Sequence, residues 1–225
     1  MISGILIINK PAGPTSHDIV DEIRKISGIK QVGHTGTLDP FAEGLLIILV
    51  GKATKLQSHF MNMNKTYLAA LKLGKTTDTY DITGIKSQIT STKLQTITKS
   101  QIQNILNTFI GEIEQMPPAF SAIKIKGHKA YELARKGIKP NLQSRKVKIY
   151  DIKILDYKYP KLEIEVKCGK GTYIRSLAHD IGQKLNRGAY LEKLVRTQIG
   201  KFDIKNSVKM SKLTSNNWQK YLLKI

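Results

Sequence analysis

Residues 33–44 read Gly33-His34-Thr35-Gly36-Thr37-Leu38-Asp39-Pro40-Phe41-Ala42-Glu43-Gly44, which puts a carboxylate, an imidazole and hydroxyls on one short, glycine-rich stretch. Pro40 fixes its own φ, lacks an N–H and biases Asp39 toward extended backbone, so the carboxylate rides on a stiff piece of chain. The glycines allow a sharp turn or the close approach of a ligand. An aspartate mounted this way can be a nucleophile, a general base, a metal ligand or a turn former, and the loop alone leaves all of these open. An Asp-Pro pair taken at random is most often a turn; the company of His34, Thr35 and Thr37 shifts the balance toward chemistry.

Packed elements must hold such a loop at both ends. Upstream, Thr15 or Ser16 caps a helix whose Ile19, Val20, Ile23 and Ile26 share one face and which Gly28 ends. Downstream, Leu45-Leu46-Ile47-Ile48-Leu49-Val50 is a continuous apolar run, expected as a strand buried on both faces. Ile5 to Ile8 predicts another buried strand, 53–60 a short helix, and 65–73 a strand with Tyr67, Ala69, Leu71 and Leu73 on its less polar side. Residues 75–84 are expected as a loop and 86–99 as an exposed connector. Ile102, Ile105, Leu106, Phe109 and Ile110 mark an amphipathic helix that Met116-Pro117-Pro118-Ala119 breaks.

A strand over 120–127 and a short helix over 129–136 come next, followed by long strands at 145–157 and 161–168. The first long strand has a bulge where its alternation slips between Ile149 and Ile152. Ile174, Leu177, Ala178, Ile181 and Leu185 share a helix face. Residues 188–203 are expected as a further helix and turn, and the tail from Lys205 is weakly patterned. About six strands joined to helices by short turns predict an α+β fold, with a mixed, mostly antiparallel central sheet flanked by helices. One domain over 1–203 and a short tail over 204–225 are expected.

Lys and Arg number 37 against 17 Asp and Glu, a formal charge of +20, far beyond what solubility needs. A polyanion partner is implied, with nucleic acid first. Cys168 is the single cysteine, which excludes an internal disulfide and a cysteine-rich zinc site. The N-terminus has no basic start and too short an apolar run for a signal peptide, and no stretch reaches transmembrane length. A cytoplasmic protein with no membrane partner is therefore expected.

Other chemistries find no footing. Gly169-Lys170-Gly171-Thr172-Tyr173-Ile174 follows a strand and opens a helix, but Ile174 stands where a dinucleotide fingerprint needs its third glycine. Gly51-Lys52-Ala53-Thr54 has neither the glycine spacing nor the Mg²⁺-binding hydroxyl of a P-loop. His17, His34, His59, His128 and His179 show no paired ligand spacing, and no serine sits in a nucleophile elbow. No metal or cofactor is expected.

The stretch GHTGTLDPFAEGLL resembles the signature loop of the bacterial tRNA pseudouridine-55 synthase family. Further matches follow in the family's order across about residues 2–203. They are Asn9-Lys10-Pro11, Lys65-Thr66-Tyr67, Pro117-Pro118-Ala119-Phe120-Ser121-Ala122-Ile123-Lys124, Lys129-Ala130-Tyr131-Glu132-Leu133-Ala134-Arg135, and Gly171-Thr172-Tyr173-Ile174-Arg175-Ser176. The resemblance implies a pseudouridine synthase fold and cofactor-free isomerisation of uridine to its C-glycoside in the T-arm loop of tRNA, at position 55.

By that resemblance Asp39 is the nucleophile, Tyr67 stacks on the base and is implicated in removing the C5 proton, and Arg175 pairs with Asp39. Tyr173 lies against the base, His34 fills the gap left when the target uridine flips out, and Leu194 packs on the bound base. Arg196 is the neighbouring phosphate-facing arginine, and Lys10 lies near the active site. Two departures from the family are expected: the stretch after Asp203 is too short for the PUA domain that many relatives append, so none is expected over 204–225, and Tyr190 stands where a histidine is expected. A monomer acting on tRNA is expected. The alternatives are a catalytically silent RNA chaperone of the same fold and charge, or a synthase acting on ribosomal or guide-directed RNA.

Overall fold

The computed structural model describes residues 2–88, 97–125 and 127–224. Most of the expected 86–99 connector, and Lys126 within the expected 120–127 strand, lie outside the described residues. In chain order the first elements are β1 (Gly4–Lys10), α1 (Ser16–Ser27), β2 (Val32–His34), β3 (Glu43–Val50), α2 (Gln57–Met61), β4 (Lys65–Leu73), β5 (Lys75–Thr77) and β6 (Lys86–Gln88). Next come α3 (Lys99–Asn107), β7 (Gly111–Gln115), β8 (Lys124–Ile125), β9 (His128–Lys129), α4 (Ala130–Arg135), β10 (Arg145–Lys158) and β11 (Lys161–Cys168). The chain closes with α5 (Ile174–Lys184), β12 (Ala189–Ile199), β13 (Phe202–Asp203) and β14 (Val208–Lys209).

Two compact units form, Met1–Leu68 with Leu194–Ile225, and Ala69–Lys193. Both cuts fall inside strands, β4 and β12, so no change of composition announces them. In the first unit the strand order is β14, β1, β3, β12, with β2 also on β3 and β13 on β12. β1 and β3 are antiparallel, Ile7 opposite Ile47, while β14 runs parallel to β1 and β12 parallel to β3.

β3 is buried on both faces, as its unbroken apolar run predicts. Leu46, Ile48 and Val50 meet Leu6, Ile8 and the Ile19, Val20 and Ile23 face of α1, whereas Leu45, Ile47 and Leu49 meet Ile5, Ile7, Ala53, Phe60 and Ile199. Period-two alternation with an apolar layer on each side leaves no place for a polar residue between 45 and 50. α1 opens on Thr15, whose hydroxyl and Asp18 form a reciprocal capping box, and closes on Gly28 in the left-handed region.

In the second unit the order is β4, β11, β10, β7, with β10 antiparallel to both neighbours. The β10 register shifts between Ile149 and Asp151, where the bulge is expected. Leu162, Ile164, Val166 and Cys168 of β11 are buried and Lys167 is exposed. α3 packs on β10 and α5, and α5 buries Ile174, Leu177, Ala178 and Ile181. The α+β class and the mixed, mostly antiparallel pairing are as expected. Among the described residues no helix is long and apolar enough to cross a membrane.

Local elements differ from expectation in several places. Residues 189–199 form a strand instead of a helix: Leu191, Leu194 and Val195 imitate a helical stripe, but pairing with β3 and the β-branched Val195, Thr197 and Ile199 decide the outcome. Gly111–Gln115 re-enters the sheet as β7 before the prolines, a strand too short to show against the helix ahead of it. Of 120–127 only Lys124–Ile125 is strand, in a hairpin with β9. The 75–84 loop contains β5, which pairs with β6. The tail is packed: Val208, Leu213 and Trp218 are buried in the α1 cluster, and the main chains of Ile5 and Leu223 exchange two 2.9 Å hydrogen bonds.

Candidate active site

β2 lays His34 opposite Ile48 of β3, and the chain then loops through 35–42 before entering β3. Inside the loop, Thr35 N–H donates to the Ile47 carbonyl and Ala42 N–H to the Asp39 carbonyl, each at 3.1 Å. Side chains from three other elements fasten it from below. Ser16 Oγ, at the start of α1, accepts from Leu38 N–H at 2.8 Å and donates to the Leu38 carbonyl at 3.2 Å. Lys10, at the end of β1, is fully buried; its Nζ donates to the carbonyls of Pro11 at 2.8 Å, Pro14 at 2.7 Å and Pro40 at 3.3 Å. Arg196, on β12 opposite Gly44, is 1% exposed and donates through Nε to the Leu45 carbonyl at 2.8 Å and through Nη2 to the Gly36 carbonyl at 3.1 Å. The half-buried Asp39 thus sits between two residues, Leu38 and Pro40, that are each held by a buried side chain.

The charges here are distinctive. Burial lowers the Lys10 ammonium to about 8, against the raising influence of Asp39 and Glu43 and with the help of Arg196. Burial, then Arg196 and His17, lowers His34 below the ordinary imidazole range, and its Nδ1 accepts the Gly36 N–H at 3.3 Å. Tyr67 on β4 and Leu194 on β12 belong to the same unit and are buried.

In the second unit Arg175, on the first turn of α5, is 3% exposed. Its Nη1 donates to the Thr79 carbonyl at 3.1 Å, its Nη2 to the Phe120 carbonyl at 2.9 Å, and Nη1 lies 3.4 Å from Asp81 Oδ2. Asp81 Oδ1 in turn accepts from the Thr79 hydroxyl and from both N–H and hydroxyl of Thr83. Tyr173 caps α5, and the Gln115 amide fixes its main chain by accepting its N–H at 2.8 Å and donating to its carbonyl at 3.0 Å. Ser176 Oγ adds a bond to the Met116 carbonyl at 2.7 Å.

Residues 24–174 match the family model described as TruB family pseudouridylate synthase (N terminal domain), and 175–224 that of the tRNA pseudouridylate synthase B C-terminal domain. The chain is 47% identical over 224 residues to a tRNA pseudouridine synthase B of Clostridium tetani, covering 99% of this chain and 76% of that protein. A tRNA pseudouridine synthase B of Dehalococcoides mccartyi is 46% identical over 213 residues, covering 94% and 70%.

This chain belongs to the TruB family.

Among solved structures, a Cbf5-Nop10-Gar1 complex contains a chain similar to this TruB family member, with TM-score 0.74 and 29% identity over 97% of it. An H/ACA RNP bound to a substrate RNA containing 2'-deoxyuridine contains another, with TM-score 0.71 and 27% identity. The TruB chain spans 55% of the length of each.

In the TruB fold, Lys10, His34, Asp39 and Arg196 gather at the loop of the first unit, Tyr67 and Leu194 lie on strands of that unit, and Tyr173 and Arg175 sit at the start of α5 in the second. Arg196, expected against a phosphate, has its guanidinium on main-chain carbonyls. Sequence reasoning missed Ser16, Asp81 and Gln115. Ser16 was visible only as an alternative cap to Thr15, and Asp81 only as one of several polar residues in 75–84. Gln115 carries no pattern at all, since its task depends on where α5 begins.

Proposed function

We propose that this chain isomerises uridine to pseudouridine at position 55 in the T-arm loop of tRNA, without a cofactor. The observation that carries the proposal is identity of 47% over 99% of the chain to a protein named tRNA pseudouridine synthase B, with the loop that holds Asp39 inside the match. The glycosidic bond from N1 breaks with its electron pair left on the base, the uracil turns in the pocket, C5 bonds to the same sugar carbon, and the proton lost from C5 is matched by one gained at N1, so the product is an isomer of the substrate. Asp39 acts as the nucleophile that stabilises the positive charge developing at that carbon. Tyr67 stacks on the base and assists removal of the proton, and Arg175 assists Asp39. Extruding a uridine from a folded loop leaves a gap, and the half-buried His34 fills it. Tyr173 and Leu194 hold the base. Lys10 and Arg196 serve the substrate through the loop they fasten. The charge of +20 supplies the phosphate attraction, and the protein works as a cytoplasmic monomer.

The test is a purified chain incubated with unmodified tRNA transcript and assayed for pseudouridine. Wild type is expected to convert the T-arm uridine and Asp39→Asn to convert none. No product from wild type, or normal product from the variant, would overturn the assignment. An RNA chaperone would bind without turnover, and a preference for a ribosomal hairpin over the T-arm would move the substrate to another RNA.

A further inference from the structure

The described chain buries two guanidinium groups, and they are treated differently. Arg175 faces Asp81, whereas Arg196 forms no ion pair with a carboxylate among the described residues. Burying a charge without a counter-ion is costly, and the usual result is neutralisation or loss of the residue. Arginine cannot escape by deprotonation. Its bonds state what it does there: Nε on Leu45 and Nη2 on Gly36 tie together the two ends of the segment that carries Asp39. The main chain of Arg196 adds a second constraint, because it pairs with Gly44 so closely that a Cβ at Gly44, whose φ is +109°, would lie 2.4 Å from the Arg196 carbonyl oxygen. Within that outer ring, the Ser16 hydroxyl holds both N–H and carbonyl of Leu38, the residue immediately before Asp39.

We infer that Arg196 and Ser16 are positioning residues for Asp39, Arg196 closing the catalytic loop at its base and Ser16 fixing the residue that precedes the nucleophile. This deepens the proposed function and rests on Asp39 being its nucleophile. A planar fork is required because the two carbonyls lie at opposite ends of the loop and are reached by different nitrogens of one group. A lysine has a single donor head and cannot span them in the same way. The loop is therefore in place before RNA arrives, and binding energy is not spent in ordering it.

The test separates chemistry from affinity in the full chain. Arg196→Lys, Arg196→Gln and Ser16→Ala are compared with wild type by single-turnover rate at saturating enzyme and by fluorescence anisotropy with a T-arm stem-loop RNA, each corrected for the folded fraction by a thermal melt. The rate per folded molecule is expected to fall roughly 10²-fold in both Arg196 variants and about tenfold in Ser16→Ala, as for a misplaced reacting group. RNA affinity should stay within about threefold, since neither side chain reaches solvent. A wild-type rate in Arg196→Lys overturns the inference, as does a tenfold loss of RNA affinity with the saturated rate intact, which marks a phosphate contact. Should the Arg196 variants fail to fold, Ser16→Ala decides, because it removes only a hydroxyl, and a wild-type rate there is the overturning result. Wild type without product would sink the proposed function along with this inference. An active wild type matched by active Arg196→Lys and Ser16→Ala would sink the inference alone.

Discussion

Arg175 Nη1 and Asp81 Oδ2 stand 3.4 Å apart with side chains only 4% and 5% exposed. The pair joins α5 to the turn that follows β5, and Thr79 and Thr83 satisfy the second carboxylate oxygen. Truncating one member of such a buried pair costs far more than the pair contributes on balance, because the remaining charge stays buried. Asp81→Asn should destabilise the chain by about 3 kcal/mol, read from urea midpoints. It should also slow pseudouridine formation more than it weakens RNA binding, if Arg175 assists Asp39. Unchanged stability would mean that the Thr79 and Phe120 carbonyls suffice to hold the guanidinium.

The same pair shows where sequence reasoning stops. Alternation and unbroken apolar runs located β1, β3, β10 and β11, and cap chemistry located α1, because these depend on neighbours along the chain. The 189–199 segment was misread since its partner, β3, lies about 150 residues away and its own spacing fits a helix as well as a strand. At the site, Asp39 stood out through the residues on either side of it. Ser16, Asp81 and Gln115 did not, because each acts on a main-chain group or a charge distant in sequence, and nothing local records that.

Asp180 on α5 offers a test in pH. Burial raises its carboxyl from the ordinary 3.8 to about 6, with Lys184 only partly offsetting this. Since the folded pKa lies above the unfolded one, the folded state holds the extra proton between those values. The cost of the buried charge is therefore fully present above pH 6 and gone below about 4. Asp180→Asn should be more stable than wild type at pH 7.5 by about 1–2 kcal/mol after allowance for partial exposure. The advantage should shrink to nothing as the pH is lowered through that window. A constant difference across pH would assign the effect to packing.

Tyr80 and His179 stack with ring centroids 3.9 Å apart and planes 16° from parallel. Tyr80 has φ +62°, a region a bulky side chain seldom occupies, so its turn carries strain that the stack opposes. His179 lies one helical turn beyond Arg175, so α5 holds Tyr80 and Asp81, adjacent residues of one turn, with two side chains of the same face. A double-mutant cycle with Tyr80→Gly and His179→Ala should return a coupling of about 1 kcal/mol. Tyr80→Gly alone should cost little, because glycine relieves the backbone. Additive effects would show that the rings merely lie side by side.

Trp218 tests whether residues 204–225 are a tail or part of the core. It is 2% exposed and shares a cluster with Leu6, Ile8, Ile19, Val20, Ile23 and Leu213, so the far end of the chain covers the face of β1 and β3 on which α1 also packs. β14 extends the same sheet beyond β1, and Leu223 pairs with Ile5. Without these residues one apolar side of the sheet that carries the Asp39 loop would be opened near Lys10. Trp218→Ala should therefore cost about 3–5 kcal/mol. Hydrogen exchange should rise at β1 and α1 before it rises at β10 and β11, because the cavity opens in the first unit. A loss below about 1 kcal/mol, or exchange that rises evenly over both units, would mean that the apolar layer over β1 closes without the tryptophan.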